Sequence, residues 1–388
     1  IEFRFSVFMG KIKQVSSCPF CKQETLELKN KEYGGNMELL KPDYYDEFTC
    51  IADKCTISCC REWKINIDDK TYRNWKTIQP PSEVPGHRSC LQAYTMKKDG
   101  SRIMKMTEEH DCPFLAKNRL CYLVSAYGDS MLSETCQIFP REIHEFQDHK
   151  EATMMPCCPA VLDIWKKKKR IAFPETPKEK EQPLFLVRRK VMDLIMDPEK
   201  TPEETLLESF YVLKELHRNT PLTTELVEDY FSEKTIHQLE RAISEIDLPV
   251  LDTMDECNEL LQDLAVNYWK EGLYRKYLEP VTELAEELSE EYEEEEMTEA
   301  WEDFYRELRA YENLLRSFLT NEVYSDLLTS EGDLEDALVH MQLIGMEYAT
   351  IRQAVFLRWQ KEGRGALPYE TLRDYMVVIS RMTGYEEE

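Results

Sequence analysis

The sequence predicts a mainly α protein: a cysteine-rich N-terminal metal-binding domain with short strands, followed by an all-helical C-terminal domain. Three observations predict it. Twelve of the thirteen cysteines lie before residue 160, and only Cys257 lies beyond. A proline-rich hinge, FPETPKEKEQP, breaks the chain at residues 173–183. From residue 184 onward, apolar residues recur at helical spacing almost without interruption. The expected organisation is an appended segment at 1–36, a cysteine-rich domain at 37–172, a linker at 173–183 and a helical domain at 184–388.

Residues 1–36 carry a Cys18-x2-Cys21 pair and end in the turn-forming Gly34-Gly35-Asn36. Such a pair is one knuckle of a zinc ribbon, which needs a second pair to close. Met37 reads as a natural start, so 1–36 is expected to be an appendage. The densest stretch follows: CIADKCTISCC places Cys50, Cys55, Cys59 and Cys60 within eleven residues. Adjacent thiols fill little core volume, whereas thiolates are soft ligands for zinc and iron–sulfur clusters. Buried free cysteines are the plainer alternative. The alternation of Trp63, Ile65 and Ile67 predicts a short strand. Asp68 or Asp69 then caps a short helix bearing Tyr72 and Trp75. Prolines and glycines make 80–111 loop-rich, with a strand at 101–107.

A second block holds Cys112, Cys121 and Cys136, with a helix at 120–127 that Gly128 ends. A third holds Cys157 and Cys158. Together the blocks supply more thiols than one tetrahedral zinc requires. The run KKKKR at 166–170 reads as a solvated charge run. Thr201-Pro202-Glu203-Glu204 has the form of a helix start, followed by Leu206, Leu207, Phe210, Leu213 and Leu216. Residues 224–246 form another amphipathic stretch, and 281–304 hold twelve acidic residues with no Lys or Arg. A long helix at about 334–361 carries Leu338, Met341, Tyr348, Ile351, Val355 and Trp359 on one stripe, and a last helix carries Leu372, Tyr375, Met376 and Ile379. These stripes are core.

The net charge of −26 argues against nucleic acid as the main partner, because a phosphate backbone needs a basic footprint. It suits a basic, lysine-bearing protein substrate, and equally suits plain solubility. No run of about 18 apolar residues exists to span a membrane. The start, IEFRFSVFMGKIKQ, lacks the apolar core of a signal peptide. Clustered thiols without a disulfide framework point to a reducing, cytoplasmic compartment.

In combination, KPDYYDEFTCIADKCTISCCREWKINID, CPFLAKNRLC, LSETCQIFPR, CCPAV and the later YENLLRSFL resemble the flagellin lysine-N-methylase (FliB) family, with its cysteine-rich zinc- or iron-chelating domain. The resemblance covers about Met37 to the end. It implies an iron–sulfur protein, with a 4Fe-4S cluster, that methylates lysine side chains of flagellin using S-adenosylmethionine. It places the family's metal ligands on Cys50, Cys55, Cys59, Cys60, Cys112, Cys121, Cys136 and Cys158. Cys158 is preferred to Cys157 because the family pattern has Cys followed by Pro. The family position two after the paired cysteines is usually Gly; here it is Glu62, which puts the loop geometry in question.

The residues alone do not show a methyltransferase. No GxGxxG follows a strand, and the Cys-x3-Cys-x2-Cys spacing of radical S-adenosylmethionine enzymes is absent: Cys55 and Cys59 are followed by Cys60, and position 62 is Glu. Polar transfer to lysine needs a neutral ε-amine, and its ordinary pKa of about 10.4 calls for desolvation or a base. A cationic sulfonium donor is held by carboxylates or aromatic faces. Tyr44, Tyr45, Glu62 and Trp63, next to the cluster, are the candidates for that, although core packing is the commoner use of such aromatics. Two other classes remain: a non-catalytic zinc-binding module, and an iron–sulfur redox protein.

Overall fold

The computed structural model describes residues 37–383, apart from 99, 177, 220, 246–249 and 292–293. The Cys18-x2-Cys21 segment lies outside the described residues.

The N-terminal part begins with β1 (Glu38–Leu40) and the cysteine loop, then α1 (Asp69–Asn74) and a hairpin of β2 (Thr95–Lys98) and β3 (Ser101–Met104). Two short helices follow, α2 (Tyr122–Tyr127) and α3 (Glu134–Ile138), then β4 (Arg141–Glu145), β5 (His149–Met154) and α4 (Pro159–Lys167). The main sheet has the order β1-β5-β4, with β1 parallel and β4 antiparallel to β5. As the sequence predicted, Asp68 caps α1 by accepting from Thr71 N–H. Its second oxygen accepts from Glu134 N–H at 2.9 Å, so one carboxylate fixes α1 against α3. Gly128 ends α2 at φ +83°, where a Cβ would be strained.

Residues 63–67 do not form a regular strand. They run extended beside β3, tied by Met104 N–H to Ile65 O and Ile67 N–H to Arg102 O, both at 2.8 Å. The physical reason lies just upstream: Glu62 sits at φ +51° and turns the chain before a longer ladder can form. Trp63, Ile65 and Ile67 are nonetheless all buried, in a core shared with Trp75, Leu91, Tyr94, Phe114 and Leu123.

The helical part comprises α5 (Lys178–Glu181), α6 (Pro183–Ile195), α7 (Pro202–Arg218), α8 (Thr224–Tyr230), α9 (Glu233–Ser244), α10 (Val250–Lys270), α11 (Arg275–Glu291), α12 (Glu294–Leu308), α13 (Glu312–Asp326), α14 (Leu334–Lys361) and α15 (Tyr369–Thr383). Thr201 and Glu204 close a reciprocal capping box at the start of α7. The stretch 224–246 is two helices, because Ser232 caps a new one by accepting from Thr235 N–H. The stripe expected on α14 is buried apart from half-buried Leu338, but Ala349, Thr350, Gln353, Ala354, Phe356 and Leu357 are buried as well. The helix is central, packed by α7, α10, α11, α13 and α15.

One continuous core crosses the 173–183 hinge: Tyr44, Tyr45, Phe48, Met154, Val161 and Trp165 pack with Val187, Phe318, Val323 and Met376. Between β5 and α6, the Arg188 guanidinium forks onto Glu151 through two 2.7 Å bonds and also donates to Tyr324 O at 3.0 Å. Among the described residues no helix is long and apolar enough to cross a membrane.

Candidate functional site

The three cysteine blocks converge. Cys112 N–H donates to Cys60 O at 2.8 Å, which brings the second block against the first. Cys55, Cys112, Cys121, Cys136 and Cys158 all lie within electrostatic reach of Cys59, and Cys60 is hydrogen-bonded to it. Cys50 is exposed beside Cys55 at the rim. Cys90 and Cys257 stand apart: Cys90 precedes a short turn, and Cys257 lies in α10 near Arg352. Burial pushes the thiols of Cys55, Cys112, Cys121, Cys136 and Cys158 up, Cys136 to about 11 and Cys158 to about 12, and the Cys60 hydrogen bond followed by burial raises Cys59.

A cation from the far end of the chain enters this centre. Arg381 of α15 is 2% exposed, donates to the carbonyls of Ile57, Ser58 and Cys157, and lies over the Trp63 ring at 4.9 Å. Among the described residues no carboxylate pairs with it; the acidic groups around it are the Tyr274 phenol and the thiols of Cys157 and Cys59, all of which are raised and so neutral without a metal. Buried charges are ordinarily paired. Thiolates held by a metal would supply the missing negative charge, so the donor set and its buried counter-cation fit a thiolate-bound metal or iron–sulfur centre.

The four residues expected to hold a cofactor are not gathered into one pocket. Tyr44 is fully buried, its ring edge-on to Trp165 and its hydroxyl donating to Asn321 Oδ1. Tyr45 is buried beneath Lys41 and Arg141. The Glu62 carboxylate accepts from Tyr274 N–H at 2.8 Å, and its carbonyl accepts from the Tyr274 hydroxyl at 2.6 Å. Glu62 therefore clamps the cysteine loop to the helical part at the position where glycine is expected. Of the four, Trp63 lies with the cysteine centre, packed between Phe139 and Arg381.

A second constellation, which no motif announces, lies on the other side of Cys157. Glu142 and His144 of β4 meet Asp326 at the end of α13, with one ligand atom from each within 4.8 Å of the others. Ser325 Oγ is the hub, 2.9 Å from His144 Nε2, 3.1 Å from Thr153 Oγ1 and 3.2 Å from Glu142 Oε2. Behind them lie two buried carboxyls, Glu322 of α13 and Glu347 of α14; Ser380 of α15 donates to Glu347. Asn321 joins the floor to Tyr44, donating to Glu322 Oε1 at 3.1 Å and to Met154 O at 3.2 Å. Cys157 faces both this pocket, through Glu142 and Glu322, and the thiol centre, through Cys158 and Arg381.

The pocket's charges are sorted by environment. Desolvation opposes ionisation of Glu142, but the His144 hydrogen bond and charge outweigh it and hold Glu142 below its ordinary value. Desolvation likewise works against His144, and Glu142 more than offsets it, raising the imidazole. His144 Nε2 lies 3.7 Å from Glu142 Oε2, so each favours the charged form of the other. Glu322 is held well above its usual range by burial, then by Glu347 and Asp326. Burial also raises Glu347, despite the Ser380 bond. Asp326 stands at the exposed mouth, but its carboxyl is turned in toward Glu142 and His144; desolvation of that carboxyl, and then Glu142, push it up to about 7. Periodicity and motif reading cannot find such a pocket, because its members come from five elements spread over more than two hundred residues.

A family model described as the FliB lysine N-methylase C-terminal domain matches residues 188–388. The chain belongs to the FliB lysine N-methylase family. The matched part carries Glu322, Asp326, Glu347 and Arg381, so the FliB-type half supplies the pocket floor and the cation of the cysteine centre. The flagellar biosynthetic protein FliU of Salmonella muenchen is 25% identical over 132 residues, which is 31% of this chain and 72% of FliU. The lysine-N-methylases of Salmonella choleraesuis and Salmonella typhimurium are each 29% identical over 126 residues, 31% of this chain and 30% of each relative. No solved structure matches.

Proposed function

We propose that this chain methylates lysine side chains of flagellin, using S-adenosylmethionine, at the Glu142–Asp326 pocket beside a cysteine-held iron–sulfur cluster. The observation that carries the reading is the carboxylate pocket itself, built where the cysteine-rich part meets the FliB-type helices. Lysine ε-ammonium is a cation, and its proton must leave before the nitrogen can act as a nucleophile. Glu142, kept ionised by His144, supplies the fixed negative charge that draws the ammonium in. Asp326, near 7 and at the mouth, is poised to take the proton. Glu322 and Glu347, both raised by burial, line the floor. S-adenosylmethionine would supply an electrophilic methyl on a sulfonium, itself a cation of the kind such a pocket attracts. The relatives named as lysine-N-methylases support the same chemistry.

Cys55, Cys59, Cys60, Cys112, Cys121, Cys136 and Cys158 would hold the cluster, with Cys50 at the rim. An iron–sulfur cluster takes thiolate ligands from several parts of a chain, which suits the three cysteine blocks that converge here.

The test is anaerobic purification, metal analysis and visible absorption, then mass spectrometry of flagellin lysines after incubation with S-adenosylmethionine. Iron with acid-labile sulfide, and methylated lysines, are expected. Zinc alone would return the cysteines to a folding role. A reducible cluster without methyl transfer would make the chain a redox protein and overturn the methylase reading.

A further inference from the structure

β4 is an edge strand, and its hydrogen-bond phase can be fixed from its two ends. Phe146 N–H donates to His149 O, and Met155 N–H donates to Pro140 O, both at 2.9 Å. In an antiparallel ladder, residues that exchange both bonds alternate with residues that exchange none. Counting between the two ends, Glu142 and His144 direct their backbone groups to β5. Arg141, Ile143 and Glu145 direct theirs to the open side. Among the described residues no other strand or loop takes up those three N–H and three C=O groups. Soluble proteins usually blunt such an edge. Here Arg141 and Glu145 bring charge, but Ile143 stays 39% exposed.

The side chains alternate in the same register. Glu142 and His144 point to the face that meets Ser325 and Asp326. A strand laid along β4 would lie about 4.8 Å away, and its residue opposite Glu142 or His144 would project onto that same face. We propose that β4 is the substrate-docking edge: an extended, lysine-bearing segment adds as a fourth strand and delivers its lysine to Glu142, His144 and Asp326. This rests on the reading of that pocket as the lysine site. The occupant is set by charge, since Glu142, Asp326 and a chain of net charge −26 favour a cationic segment. Main-chain bonding makes the docking tolerant of the residues around the lysine. The substrate class is therefore lysines in extended or locally unfolded segments, and lysines inside intact helices are poor substrates.

The experiment is hydrogen exchange of residues 141–145 in the full chain, with and without a synthetic single-lysine peptide rich in β-branched residues. S-adenosylhomocysteine is included to prevent turnover. Protection of the Arg141, Ile143 and Glu145 amides on peptide addition is expected. Unchanged exchange overturns the proposal, as do amides already protected in the free protein, which would mean that another segment of this chain occupies the edge. Ile143→Pro removes one outward N–H and no ladder bond, so the edge should tolerate it. It is expected to weaken peptide binding about 2- to 12-fold, the worth of one hydrogen bond, while Ile143→Val binds as the parent does. Equal binding by Ile143→Pro, with an unchanged unfolding midpoint, overturns the proposal. Edge protection by a peptide that is never methylated would keep the docking and sink the methylase reading instead.

Discussion

Asp326→Asn removes the one carboxyl of the pocket that stands at the mouth and is poised near neutrality. With Asp326 at about 7, the base is mostly protonated below that pH. The kcat/KM of lysine methylation should then fall about tenfold per pH unit on the acid side and level off above about pH 7. Asparagine cannot accept the proton, and a positioned base contributes about 10²- to 10⁴-fold. The loss expected at about pH 8 is therefore at least about 10²-fold. Stability separates this from misfolding. The folded-state pKa of Asp326 is raised above the unfolded value of about 3.9, so its favourable contribution is present below that value and is lost as pH rises through about 7. Asparagine should therefore not lower the unfolding midpoint at about pH 8. The assay is initial methyl incorporation by mass spectrometry across pH, with urea unfolding in parallel. A variant that keeps the parental rate and the parental acid limb would refute the role of Asp326.

Arg188→Met should cost about 3 kcal/mol in urea unfolding, the low end for breaking a buried pair, because His149 Nε2 remains 3.1 Å from Glu151. Adding Glu151→Leu should recover most of it, since the uncompensated carboxylate is then gone; no recovery would show that the cost was not electrostatic. Cys59→Ala should abolish retained metal whereas Cys257→Ala keeps it, and equal metal content in the two would remove Cys59 from the centre. Arg381→Met, which strands three carbonyls and removes the buried cation, should lower both the unfolding midpoint and the metal retained after dialysis; unchanged retention would deny that its charge compensates thiolates. Thr201→Ala should cost about 1 kcal/mol through loss of the capping box.

Much of the helical architecture could be read locally. The α7 capping box, the Asp68 cap, the Gly128 terminator and the span of α14 each depend on a few adjacent residues whose hydrogen bonds close within one turn. The 63–67 segment could be read as extended and buried, but not as irregular, because the backbone of Glu62 is held by His110 O and Tyr274, partners far away in sequence. For the same reason Tyr44 and Tyr45 looked like pocket residues when read locally, yet they pack into a core that the helices complete.

Local order is written in neighbouring residues: where helices start and stop, which residues are apolar, and that thiols are concentrated before residue 160. Backbone capping and side-chain periodicity are short-range, so they are written in adjacent residues. Long-range packing is what brings Arg381 into the cysteine centre and Asp326 to Glu142 and His144, and what leaves one edge of β4 open among the described residues. Those outcomes depend on burial and on charges brought together from distant parts of the chain, and neither exists until the helices have closed over the sheet.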